Sequence, residues 1–374
     1  MARLSVRSAV FLGLIFVLEL VAAWFTSTAY AQGAHDHGSN PAQGLLSSQE
    51  PLVSIAHGLT LGASVFLAGL VAFATLVWIP ANRTADPDQD KTLKLFCGWM
   101  WALAGLLVVA GLAELPLYAV RASGQSLSLG LLEEALFDTR VGQLWMERIV
   151  LGLLVAAAAT SASRSRRPAY WWIAALGISA LLLMTLTRQS HAAAEEGFLP
   201  FAADWLHVMA ASLWMGGLLG FPVLLIGPLR TMPAGTRTKL LGRSVRRFSK
   251  VATIAVMALI STGLYAALLH MPSLSALADT PYGRALAMKL GFSVFLFAAG
   301  GLNLMLQGRE PFGHLVSAEL LLAIGVFVAT GFLTSLPPAN AIQPSTGTKA
   351  PQFDEGLRQP PMPLPSLPDD WTPP

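Results

Sequence analysis

Residues 202–227 read AADWLHVMAASLWMGGLLGFPVLLIG, an apolar run that is interrupted by Asp204 and His207 near its start. Twenty or so apolar residues are enough to cross the hydrocarbon core of a bilayer as a helix. Hydrophobic residues make up 54% of the 374-residue chain, only 12% are charged, and the mean hydropathy is +0.58. A soluble domain carries about twice that charged fraction. No stretch shows the short apolar–polar alternation of a membrane barrel, so helices must satisfy the backbone in lipid. The fold class is therefore all-α, a polytopic membrane helix bundle. Imidazole is costly in such a helix and faces the bundle interior, a wet cavity or a ligand. His207 is one of only seven histidines.

Similar windows predict eight spans, at about 52–80, 93–120, 142–161, 169–188, 202–227, 250–269, 285–306 and 313–336. Before them, Arg3 and Arg7, the apolar run 9–25 and Ala29-Tyr30-Ala31 read as a signal segment over 1–31, with a retained first helix as the alternative. Residues 32–51 form a polar leader with His35 and His37, and residues 337–374 a Pro-rich tail. Lys and Arg gather in the loops after the first, third, fifth and seventh spans, most densely from Arg230 to Lys250. Positive-inside logic makes that side cytoplasmic. Leader and tail are then periplasmic, as are Asp138, His191, Glu195, Glu196, His270 and Asp279.

An internal repeat organises the bundle. Asp138-Thr139, Gly142 and Arg148 recur with the same spacing as Asp279-Thr280, Gly283 and Lys289, each set preceded by Ser-Leu-Ser at 126–128 and 273–275. Leu186-Thr187 with Ala192 matches Leu333-Thr334 with Ala339. The expectation is two tandem four-helix repeats, about 52–192 and 202–339, related by an axis along the membrane normal. The first and fifth spans then correspond, and each carries one histidine a turn inside the outer surface, His57 and His207.

Two imidazoles with a further nitrogen or thioether make a copper site. The predicted metal ligands are His57, His207, the loop residue His191, Met215 and Glu114. Met215, eight residues past His207, shares its helical face. Asp204, three residues before His207, is placed to orient that ring. Met184, Met209, His270, Met271, His35 and His37 are weaker candidates. Each has an ordinary alternative: helix-end histidines bond carbonyls, methionines fill core gaps, and Glu114 pairs with a cation such as Arg148. The single cysteine, Cys97, excludes thiolate clusters and internal disulfides. No phosphate-binding loop or soluble catalytic domain is present, so neither an enzyme nor an ATP-driven pump is expected.

Ser190-His191-Ala192, His207 with Trp214-Met215-Gly216-Gly217, Arg247-Phe248-Ser249, and Thr280-Pro281-Tyr282-Gly283-Arg284 through Lys289 carry a family resemblance. In their order and spacing the chain resembles the CopD family of bacterial copper-resistance membrane proteins, over most of 52–336 and best from His191 to Lys289. The resemblance implies an inner-membrane protein of copper uptake or resistance that handles copper from a periplasmic carrier. The chain departs from Met-rich copper carriers in lacking a dense Met-x-x-Met run. Two other readings stand beside it: a haem-binding redox protein using the paired helix histidines, and a membrane subunit assisting assembly of a copper enzyme.

Overall fold

The computed structural model describes residues 41–82, 88–190, 197–271, 273, 275–305, and 322, 323, 325–327, 329–331 and 333. The signal segment, the leader with His35 and His37, the loop residue His191, the side chain of His270 and the tail lie outside the described residues. So does most of the eighth span.

Every regular element among the described residues is a helix. Helix α1 covers Pro41–Ala72 and continues through a π-helical turn, Phe73–Trp78, into a last α-turn, Ile79–Ala81. Helix α2 is Asp88–Ser123, α3 Arg140–Arg164, α4 Pro168–Thr187, α5 Phe198–Ile226, α6 Ala234–His270 and α7 Pro281–Met305. Seven helices are long and apolar enough to cross a membrane, from Leu52–Ala81 to Pro281–Gly300. They overlap the first seven windows read from the sequence, although the sixth begins at Ala234 rather than at 250. Because consecutive helices alternate in direction, His57, Glu114, Arg148, Thr185, His207, Thr262 and Lys289 all belong to one end of the bundle. The basic loops occupy the other end.

Helix α1 is the most enclosed, and glycine is the reason its neighbours come close. A Cβ on Gly69 would meet the backbone of Ser212 and Gly216, and one on Gly216 would collide with the Gly69 carbonyl. The two backbones therefore touch where α1 crosses α5, an approach that only small residues permit. One turn further, Gly217 faces the Phe248 ring of α6 and Gly220 faces Phe73 of α1. Phe73 stacks edge-on to Phe221 with ring centroids 5.1 Å apart, and Phe248 meets Phe221 at 5.4 Å. Towards the other end, Trp214 of α5 lies flat on Phe297 of α7 at 4.7 Å. Cys97 of α2 is buried, its Sγ 3.5 Å from the Ala159 carbonyl of α3. On the outside, Ile254, Met257, Ile260, Leu264 and Leu268 form an exposed stripe along α6. In a membrane helix that stripe faces lipid.

The repeated Asp-Thr-x-x-Gly has one geometry at both places. Thr139 accepts from the Gly142 N–H at 3.0 Å and donates to the Ala135 carbonyl at 2.6 Å. Thr280 accepts from the Gly283 N–H at 2.9 Å and donates to the Ala276 carbonyl at 2.7 Å. In each case a short helix precedes, Leu129–Phe137 or Ala276–Asp279, and a Cβ on the glycine would strike its last turn. Threonine at this position caps the helix by satisfying a free N–H of its first turn. Helical residues return between 322 and 333, where Phe327 packs on Phe66 at 5.5 Å and Gly331 sits against Ser54 and Gly58. As residue number rises there, contact on α1 falls, so this segment runs antiparallel to α1.

Candidate functional site

His57 and Thr60 stand one turn apart on α1, so both side chains meet the same neighbour. That neighbour is Glu114 of α2, a buried carboxylate with 6% of its surface exposed. Its Oε1 lies 2.7 Å from His57 Nδ1, and its Oε2 accepts from the Thr60 hydroxyl at 2.7 Å. An ionised carboxylate only accepts, so against Glu114 the His57 ring donates through Nδ1, and Nε2 is the nitrogen turned away from that contact. Arg148 of α3 is 1% exposed, its charge within electrostatic range of Glu114. Its own donors go to the end of α4 and the turn after it: Nε to the Thr185 hydroxyl at 3.1 Å, Nη2 to the Thr185 carbonyl at 3.3 Å and to Gln189 Oε1 at 2.6 Å. Two hydrogen bonds thus join α1 to α2 and three join α3 to the end of α4 and the turn after it, all at one end of the bundle.

His207 of α5 repeats the arrangement with a different partner. Its Nδ1 lies 2.9 Å from the Thr262 hydroxyl of α6. The Thr262 hydroxyl also lies 2.6 Å from the Ala258 carbonyl, and donation there leaves its oxygen to accept from Nδ1. Where His57 meets a carboxylate, His207 meets a neutral hydroxyl. Lys289 of α7, at the place of Arg148 in the repeat, lies within electrostatic range of both His207 and Asp204.

The structure places the other candidates as follows. Asp204 accepts from the Ser190 hydroxyl at 3.0 Å, while the hydroxyl at His207 Nδ1 is that of Thr262 rather than a carboxylate of Asp204. Met215 is buried at 3% exposure among Trp214, Leu218, Leu183 and Ala255. Met209 packs at the edge of the same cluster, Met184 is half-buried, and Met271 leans on Ala276 and Tyr282. Among the described residues no group of three or more His, Cys, Asp or Glu side chains is gathered to hold an ion. His57 and His207 find their hydrogen-bond partners on different helices, α2 and α6. Thr60, Thr185, Gln189 and Thr262 were not legible as site residues. Only the three-residue offset of Thr60 from His57 carried a signal.

A bundle of apolar helices with ionisable groups buried at one end defines a multi-pass membrane protein. The family model described as copper resistance protein D matches residues 242–333, and that of the copper resistance protein D-like N-terminal domain matches 48–201. Copper transport protein CutJ of Bacillus subtilis (strain 168) is 31% identical over 329 residues, 86% of this chain and 60% of that protein. Copper resistance protein D of Pseudomonas syringae pv. tomato is 28% identical over 197 residues, 50% of this chain and 61% of that protein. The chain belongs to the copper resistance protein D family. It spans about 60% of the length of the curated relatives it matches. No solved structure matches it.

Proposed function

We propose that this chain is a copper-handling protein of the bacterial inner membrane, taking the ion at its periplasmic face and passing it into the bundle. The observation that carries this reading is the matched pair of imidazoles. His57 and His207, on helices that the proposed duplication pairs, each hydrogen-bond through Nδ1, and a neutral ring held in that way offers Nε2 to copper. Copper is the cargo here, and the names of both relatives point to the same ion. His191, in the loop before α5, is proposed as a further ligand. Glu114 is better placed to orient His57 than to bind metal itself, because both of its oxygens are engaged.

The architecture of the proposal is eight spans in two four-span halves, with a signal segment before them and both flanking segments periplasmic. The twin threonine caps support the duplication. The antiparallel run of 322–333 along α1 supports an eighth span that returns to the histidine end. A periplasmic copper carrier is the proposed donor of the ion. The test is metal analysis of the purified protein. Wild type should retain copper after dialysis, and His57→Ala or His207→Ala should lose most of it while still inserting into the membrane. Full copper binding by the double alanine variant would end the site proposal, and a Soret band on wild type would replace copper with haem.

A further inference from the structure

At the basic end, α6 and the tail of α1 enclose a cleft of about 590 Å³ lined by Leu76, Pro80, Ala81, Arg243, Arg246, Arg247, Lys250 and Val251. The four cations fall at positions i, i+3, i+4 and i+7 of α6, one face of a helix. From Arg243 to Lys250 they run about 10 Å along the axis at 1.5 Å per residue. None of them forms an ion pair with a described carboxylate. The opposing wall is apolar: Pro80 and Ala81 end α1, and Leu76, 40% exposed, belongs to its π-helical turn. Such turns interrupt α-helices at functional sites more often than elsewhere. Just beside the cleft, Asn82 and Ser244 are buried, and their side chains find no hydrogen-bond partner among the described residues.

The cleft also has a depth axis. Residues 251–269 of α6 carry no charge, so Lys250 stands where the uncharged run begins and Arg243 lies two turns further out. On α1, Leu76 is level with the uncharged run and Ala81 with the water-facing side. A ligand fitting this geometry is anionic at one end and apolar at the other, and it enters from the bilayer interface. Arginine forks match the oxygens of a phosphodiester, and basic pockets between spans on the Lys/Arg-rich side are suited to anionic headgroups.

We infer that this cleft binds an anionic phospholipid of the leaflet at the basic end, with the phosphate held by Arg243, Arg246, Arg247 and Lys250 and an acyl chain laid over Leu76 and Val251. A zwitterionic choline headgroup brings a cation to four cations and is disfavoured. Each Lys or Arg near an anionic surface is worth roughly fivefold in affinity, so removing two should cost at least about tenfold.

The experiment is native mass spectrometry of the full chain in detergent, offered equal amounts of phosphatidylglycerol and phosphatidylcholine. Wild type should retain phosphatidylglycerol with a preference of about tenfold or more. R243Q/R247Q should bring the two lipids within about twofold. R237Q/K239Q removes the same charge from the exposed start of α6, outside the cleft, and should keep the wild-type preference. Excess inorganic phosphate should fail to displace the lipid. The inference is overturned by equal retention of both lipids on wild type, which needs no variant to fold. It is equally overturned by an unchanged preference in R243Q/R247Q, by an equal loss in R237Q/K239Q, or by displacement with phosphate alone, which marks a small-anion site.

Discussion

Glu114 takes a proton donor on each oxygen, His57 on one and Thr60 on the other, and it faces the buried charge of Arg148. Burying a charge without a partner is expensive, so the members of such a set depend on one another. Arg148→Leu should therefore destabilise the protein, by about 1–3 kcal/mol, the usual cost of leaving buried polar partners such as Thr185 without their donor. Combined with Glu114→Gln the loss should be smaller than the sum, with a coupling of about 0.5–3 kcal/mol in a double-mutant cycle of detergent denaturation. Strict additivity would show that the two charges do not sense each other. Thr262→Val removes the hydroxyl that holds His207 Nδ1 at 2.9 Å. It should weaken copper retention while His57→Ala abolishes most of it, and a Thr262→Val protein with wild-type copper content would remove Thr262 from the account. The histidines and Glu114 were legible in the sequence because ionisable groups stand out in apolar helices. Their partners were not, since Thr60, Thr185 and Thr262 look like any small residue of a span. Sequence spacing also favoured Asp204 for His207; an offset of three puts two residues on one face, but it does not say which neighbouring helix supplies a closer acceptor.

Helix α1 meets α5 backbone to backbone at Gly69 and Gly216, whereas Gly98 of α2 faces open space with no atom within 4 Å of an added Cβ. Gly216→Ala should push α1 and α5 apart and cost about 1–3 kcal/mol, the range for overpacking a tight contact. Gly98→Ala, made in an exposed helix position, should be neutral or stabilise by up to about 1 kcal/mol. Measuring both melting transitions in the same detergent separates close packing from propensity, and equal effects would refute the crossing. Seven spans were legible because length and hydropathy decide them, but α6 begins at Ala234 rather than at 250, since its helix runs on through the basic segment. The π-helical turn at Phe73–Trp78 was not, although Pro80 just after it lacks the N–H that an α-helix would bond to the Leu76 carbonyl. The threonine caps were legible as a repeated spacing, and their common geometry is what a shared spacing predicts when the same short helix precedes each.

At the scale of the whole chain, the ends of the bundle differ in kind. One holds two imidazoles, a buried carboxylate and a buried guanidinium; the other carries Arg243, Arg246, Arg247 and Lys250 along one face of α6. If the basic end is cytoplasmic, a periplasm-active reporter fused after Gly242 should be silent and one fused after Gly347 active. The reverse pattern would invert the proposed topology and close the periplasmic route to His57. Cys97 gives the same question a chemical form. It is the only thiol in 374 residues, it is 5% exposed, and its Sγ lies against the Ala159 carbonyl between α2 and α3. A membrane-impermeant maleimide therefore meets almost no native background. Cysteines introduced one at a time would report, by their labelling in intact cells, which side of the bilayer each loop occupies.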